Sequence, residues 1–154
     1  MDKLWQRPET NTWSIGEHVD HTRVLLRSLR RIFTFLWPLL RPYAWLRRKK
    51  PYKTNIDDVY QRPSFPNNAG WIWPPTFNAK RPVSVDTLHM YLLKEHEAVC
   101  KFYAHKDENI LGNFYLYDPA IGWVNLIQSL RVGAYHGSRH FKKAISILTD
   151  LRKL

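Results

Sequence analysis

From Ser14 to Leu36 the chain keeps a helical beat. Ser14-Ile15-Gly16-Glu17 has the capping-box pattern, in which the serine hydroxyl accepts from the amide three residues on and the glutamate reaches back to the cap amide. Val24, Leu25, Leu29, Ile32, Phe33 and Leu36 then return every three or four positions, with Arg23, Arg27, Arg30 and Arg31 between them. A chain that opens this way must bury one stripe of a long helix against other elements. His21 lies in line with that stripe, just before Val24 and Leu25.

The rest of the chain follows from its breakers and caps. Pro38 and Pro42 each lack an amide donor and crowd the preceding turn, so a break or kink is expected near Trp37, with Leu39 to Arg48 able to resume the helix. This gives an N-terminal arm over 1–12 and a first helix over 13–50. Residues 51–83 are rich in proline and asparagine yet carry Tyr60, Phe65, Trp71, Trp73 and Phe77, which predicts a long ordered crossover whose aromatics cover a surface. Ser84 is a suitable cap for a helix over 84–106, with Val85, Leu88, Leu92, Val99, Phe102 and Tyr103 on one side. A connection with a short turn at Asp118-Pro119 leads to a last helix over 122–153, its body from Trp123 to Leu151. One stripe of that helix reads Ser129, Val132, His136, His140, Ala144, Ile147 and Leu151. The expected fold is a single all-α domain over 1–154.

Composition narrows the setting. A hydrophobic content of 44% with 14% aromatic residues is too apolar for a disordered chain. The formal charge of +11 raises nucleic acid or an anionic membrane surface as partners. The basic residues fall in the runs Arg23 to Arg31 and Arg47 to Lys50, which read as solvated faces, so both partners are disfavoured. The single cysteine, Cys100, permits no internal disulfide and no cysteine-based zinc framework; it reads as a small buried hydrophobe, and a reducing, cytoplasmic setting is expected. Met1 to Glu17 lacks the apolar core of a signal peptide, and arginines interrupt the most hydrophobic window.

Two histidines four apart on a helix have beta carbons about 5 to 6 Å apart and face the same way. His136 and His140 have that spacing, and two such imidazoles can reach one ion through bonds of about 2.0 to 2.1 Å. The spacing alone is more often a pair of solvated or hydrogen-bonded imidazoles. His21 is the addition that matters: if the first and last helices run side by side, three neutral imidazoles meet and leave an open coordination position, as in a catalytic site.

Trp13-Ser14-Ile15-Gly16-Glu17-His18-Val19-Asp20-His21 resembles the W-S-x-x-E-x-x-x-H signature of the DinB/YfiT-like family, and His136-Gly137-Ser138-Arg139-His140 is similar to its late H-x-x-R-H element. Asp118-Pro119-Ala120-Ile121-Gly122-Trp123 also resembles the family's approach to its last helix. The resemblance spans about residues 5 to 150. It implies an up-down four-helix bundle in which His21, His136 and His140 hold zinc, nickel or a similar divalent ion, and a metal-dependent thiol S-transferase or hydrolase acting on a small-molecule substrate with a low-molecular-weight thiol as cofactor.

Two departures stand out. Only twelve residues precede Trp13, where the family has a complete first helix, and Lys143 stands where a glutamine commonly follows the last histidine. The missing quarter of the bundle could be supplied by residues upstream of Met1, by another chain such as the second copy of a homodimer, or by Leu39 to Arg48 swinging round.

Several other residues compete for roles. His18 is an alternative ligand to His21, and otherwise faces solvent or the rim of the site. His96, on the apolar stripe of the second helix, reads as a satisfied core histidine, and His89 and His105 as surface residues. Glu17 reads as a cap before it reads as a base, and Asp20 as part of a polar helix face. Tyr60, Trp71 and Trp73 are candidates to wall a pocket, and Tyr135 should project away from His136.

Overall fold

A computed structural model describes residues 3–61, 73–119 and 121–152. Phe65, Trp71 and Ala120 lie outside these residues. The helical expectation holds: α1 covers Ile15–Leu46, α2 Val85–Tyr103, α3 Glu108–Asn113 and α4 Leu126–Leu151. Single 3-10 turns occupy Lys3–Trp5 and Val59–Gln61.

α1 begins where its cap dictates. Ser14 and Glu17 close the reciprocal box, with Glu17 N donating to Ser14 Oγ at 3.2 Å and Ser14 N to Glu17 Oε2 at 2.8 Å. The arm before it is docked rather than loose. Trp5 is 1% exposed, its indole N–H donates to the Val83 carbonyl at 2.9 Å, and Arg7 pairs with Glu17. The indole lies so flat on the first turn that a Cβ at Gly16 would come within 2.6 Å of it, so that position has to be glycine.

The break expected near Trp37 does not occur: α1 runs through Pro38 and Pro42. Both prolines are exposed and sit four residues apart. The carbonyls they leave without amide partners, on Thr34 and Pro38, therefore fall on the side open to water, where the loss costs least.

The chain is mostly helical, consistent with the all-α expectation, and a small antiparallel hairpin is its one sheet among the described residues. β1 (Tyr115–Asp118) pairs with β2 (Gly122–Asn125), Tyr115 opposite Asn125. Gly122 takes a φ of +88°, which a residue with a side chain rarely adopts. Trp123 is thereby a strand residue, and α4 starts three positions later on its own capping box, Asn125 with Gln128.

α1 is the central element. α2 lies parallel to it, since Arg23 meets Tyr91, Arg30 meets Glu95 and Trp37 meets Phe102 in succession. α4 runs antiparallel, bringing His136 to His21 and His140 to His18. A parallel neighbour needs a long connection, and residues 47–84 supply it in place of the short loop of a simple up-down order. No fourth long helix is found among the described residues. Nor does Leu39 to Arg48 swing round, because Leu39 to Leu46 continue α1.

The apolar core sits at the C-terminal half of α1, where Phe33 and Ala44 pack with Ile110, Leu111, Phe114 and Leu126. The first half of the crossover is pinned there by carboxamides: Asn113 donates to the Lys50 carbonyl, Asn125 to Lys53 and Gln128 to Asn55. No helix among the described residues is long and apolar enough to cross a membrane.

Candidate metal centre

The N-terminal half of α1 is the opposite of the core: it buries polar groups. Ser14, Glu17, His18, Asp20, His21, Thr22 and Arg23 are all buried. Buried polar atoms must find partners, and the partners show what this end is built to hold.

His21, His136 and His140 each offer a nitrogen, and the three atoms lie within 4.8 Å of one another. The Nε2 atoms of His21 and His136 are 2.9 Å apart. Ligand nitrogens around a tetrahedral ion stand about 3.3 Å apart for bonds of about 2.0 to 2.1 Å, so small ring rotations would bring the set to that spacing. The ring of Trp13 lies over the cluster, with centroids 4.8 Å from His21 and 5.8 Å from His140.

The remaining nitrogens show how the three rings are held. His21 Nδ1 is 2.6 Å from the Trp73 carbonyl oxygen. A carbonyl only accepts, so Nδ1 carries the hydrogen and Nε2 keeps its lone pair. His136 Nδ1 is 2.7 Å from the Tyr60 hydroxyl, and His140 Nδ1 is 2.9 Å from His18 Nδ1. Each of the three imidazoles thus has its Nδ1 engaged by a group outside the trio, as orienting partners engage ligating histidines, while the Nε2 atoms of His21 and His136 meet each other.

These orienting groups are themselves held in place. Asp20 Oδ2 accepts from Thr76 N at 2.5 Å, Thr76 Oγ1 at 3.1 Å and Phe77 N at 2.8 Å, while Oδ1 accepts from Arg23 Nε at 2.7 Å. This fully buried carboxylate clamps the second half of the crossover to α1 and so fixes the Trp73 carbonyl over His21. Arg23 also donates to Thr76 Oγ1 and lies 5.0 Å from the Phe77 ring. Tyr60 is set by its 3-10 turn, where its amide donates to Asp58 Oδ1.

Burial dominates the electrostatics. It holds His18 down to about 4 and His136 to about 3, and it lowers His140 as well, with neighbouring imidazoles adding to the effect. His21 is also lowered by burial, though the Trp73 carbonyl and Asp20 pull the other way. Burial raises the Tyr60 hydroxyl, so it stays protonated. Neutral imidazoles near pH 7 are the form a metal ion requires.

The structure therefore brings His21, His136 and His140 together, and several other expectations change. Of solvent and the rim of the site, His18 takes the rim, buried and bonded to His140. Asp20 and Arg23 are interior groups, because the crossover folds down on them. His96 is exposed, and Cys100 is exposed instead of buried, because no element among the described residues covers that side of α2. Glu17 caps as expected and pairs with Arg7. His89 and His105 are exposed, and Tyr135 turns its hydroxyl to the Ile56 carbonyl.

The burial of His18 was recoverable, since residues three apart on a helix share a face and His21 was already placed inward. No family model matches the chain, and no curated protein or solved structure matches it either.

Proposed function

We propose that this protein is a metal-dependent enzyme of the DinB/YfiT-like kind, a thiol S-transferase or hydrolase, in which His21, His136 and His140 hold one zinc or nickel ion. The observation that supports it is the convergence of one nitrogen from each histidine within 4.8 Å of the others, with all three Nδ1 atoms engaged by neighbouring groups. Zinc is favoured by a set of neutral imidazoles, and nickel is compatible with it. A bound ion of this type lowers the pKa of a coordinated thiol or water, or polarises a substrate oxygen.

The chain's own part is the handling of protons. Without metal, His21 Nε2 is an acceptor, so the hydrogen in its 2.9 Å contact sits on His136 Nε2, and His136 Nδ1 accepts from Tyr60. Metal binding needs that Nε2 bare. The hydrogen moves to His136 Nδ1, which then donates to the Tyr60 oxygen, and the Tyr60 hydroxyl hydrogen must turn to another acceptor. Tyr60 thus changes from donor to acceptor toward His136 when the site fills. Trp13 shields the cluster from water, which strengthens each of these polar contacts.

The basic run at the start of α1 gives little support to a phosphate-binding alternative, because Arg23 is buried on Asp20 and Arg27 and Arg30 engage Glu95. Elemental analysis of protein purified without a histidine tag tests the proposal. About one equivalent of zinc or nickel is expected, lost together with turnover of thiol and electrophile, or of ester and amide substrates, in His136→Ala. Metal-free protein that also fails to take up zinc or nickel on titration would reject it.

A further inference from the structure

The side of α1 away from the histidines carries a different feature. α2 and α4 each pack on α1 but stand apart, and the space between them is a groove of about 490 Å³. Leu29 and Phe33 form its floor, Leu92 and Val99 one wall, and Leu130 and Phe141 the other. From Ser129 to Phe141 the α4 wall runs roughly 18 Å, room for about three turns of a helix laid along it.

The crests of the walls are apolar too. Met90 and Leu93 on α2 are 56% and 49% exposed, and Ile145 and Leu148 on α4 are 62% and 40% exposed. Scattered apolar residues on a surface need no explanation, but two facing crests with an apolar floor between them form one continuous patch of the sort that marks an interface. Gly133, Ala134, Gly137 and Ser138 keep the α4 wall low, and a Cβ built on Gly133 would meet nothing within 4 Å.

Charge along the crests selects the occupant. α2 carries the exposed acids Asp86 and Glu97, about three helical turns apart on one side. α4 carries the exposed bases Arg131 and Lys142 with the same separation. None of the four forms a salt bridge among the described residues. Because α2 and α4 are antiparallel, a two-fold axis along the bundle lays α4 of one copy antiparallel to α2 of the other. That alignment directs Arg131 toward Glu97 of the second copy and Lys142 toward its Asp86, and the symmetry repeats both pairings. The chain therefore carries both the groove and the helix that complements it.

We propose that this groove is a homodimer interface, in which α4 of each copy seats between α2 and α4 of the other. A two-fold contact is the commonest way for a soluble chain to cover such a face, and it needs one self-complementary patch. The net charge of +11 per chain opposes self-association; the acids on α2 offset it along the contact.

Sedimentation velocity over a range of protein concentrations tests this, with circular dichroism to check folding. The wild-type chain should be dimeric at micromolar concentration. Gly133→Trp, which fills the groove from a position where added atoms meet no neighbour, should give a folded monomer. Glu97→Lys should weaken the dimer by about 10-fold or more, and adding Arg131→Glu in the same chain should recover most of the loss. If Gly133→Trp does not fold, the charge-reversal pair decides by itself. A wild-type chain that stays monomeric, a dimer indifferent to Gly133→Trp, or a double variant no tighter than Glu97→Lys alone would each overturn the proposal.

Discussion

α4 turns two unlike faces to the rest of the molecule. Toward the start of α1 it presents His136 and His140, and there almost every polar atom is accounted for: by Tyr60, by His18, and through Asp20 and the crossover by the Trp73 carbonyl. Toward α2 it presents Gly133, Ala134, Gly137 and Phe141, and there the surface is apolar and open. The polar face had to be completed from within the chain, because a buried donor or acceptor without a partner costs about 1 to 3 kcal/mol. An apolar face can wait for a partner, since exposure to water costs only in proportion to area.

The comparison can be broken at several points. The largest effect is expected from Asp20→Ala, which strips two crossover amides and a buried arginine of their shared acceptor. Thermal or urea unfolding should show a loss of about 3 to 5 kcal/mol, and His21 should lose its orienting carbonyl with it. If stability changes by less than about 1 kcal/mol, the crossover is not anchored through this carboxylate.

Next come the groups that aim the ligands. Tyr60→Phe and His18→Phe each remove one Nδ1 partner and should weaken metal binding by about 10- to 100-fold in a competition titration. Unchanged affinity in both would mean that the engaged Nδ1 atoms do not orient the set.

Acid should act on the histidine face and spare the groove. A histidine in the unfolded chain titrates near about 6.5, whereas burial holds His18 at about 4 and His136 at about 3. Between those values the unfolded chain binds more protons than the folded one. Stability of the metal-free protein is therefore fully present above about pH 6.5 and falls as pH drops toward 4, by up to about 1.4 kcal/mol per pH unit for each such group. For the two groups together that is up to about 7 kcal/mol, so the melting temperature should fall by roughly 15 to 25 °C over that window. A variant with His18, His136 and His140 all replaced by phenylalanine should lose most of the slope.

The smallest effect belongs to the open face. Gly133→Ala adds a methyl group where nothing stands within 4 Å and removes a glycine from a helix interior. It should raise stability by about 0.5 to 1 kcal/mol in chemical denaturation. The gain is expected for the monomer, at concentrations below dimerisation; a loss there would show that the chain's own elements close on Gly133.

The two faces were also unequally legible in the amino-acid sequence. Capping and periodicity located all three long helices, and the spacing of His136 and His140 with an inward His21 located the histidine cluster. What escaped was decided by tertiary context. Trp123 looked like the first apolar residue of a helix, but Gly122 at positive φ and the Asn125 box make it a strand residue; the run of aromatic and β-branched residues around Asp118-Pro119 was the available sign of a hairpin. Asp20 looked like a surface carboxylate because its partners are amides fifty-six and fifty-seven residues away. Cys100 and His96 looked buried because a helical stripe shows which way residues point and not whether anything arrives to cover them.

The claim on which the rest depends is that three imidazoles from two distant segments share one cation through Nε2. X-ray absorption at the zinc edge of the zinc-loaded protein tests it most directly. Three imidazole nitrogens at about 2.0 to 2.1 Å are predicted, dropping to two in His136→Ala under excess zinc. A shell made of oxygen alone, or an imidazole count unchanged by that substitution, would contradict the account.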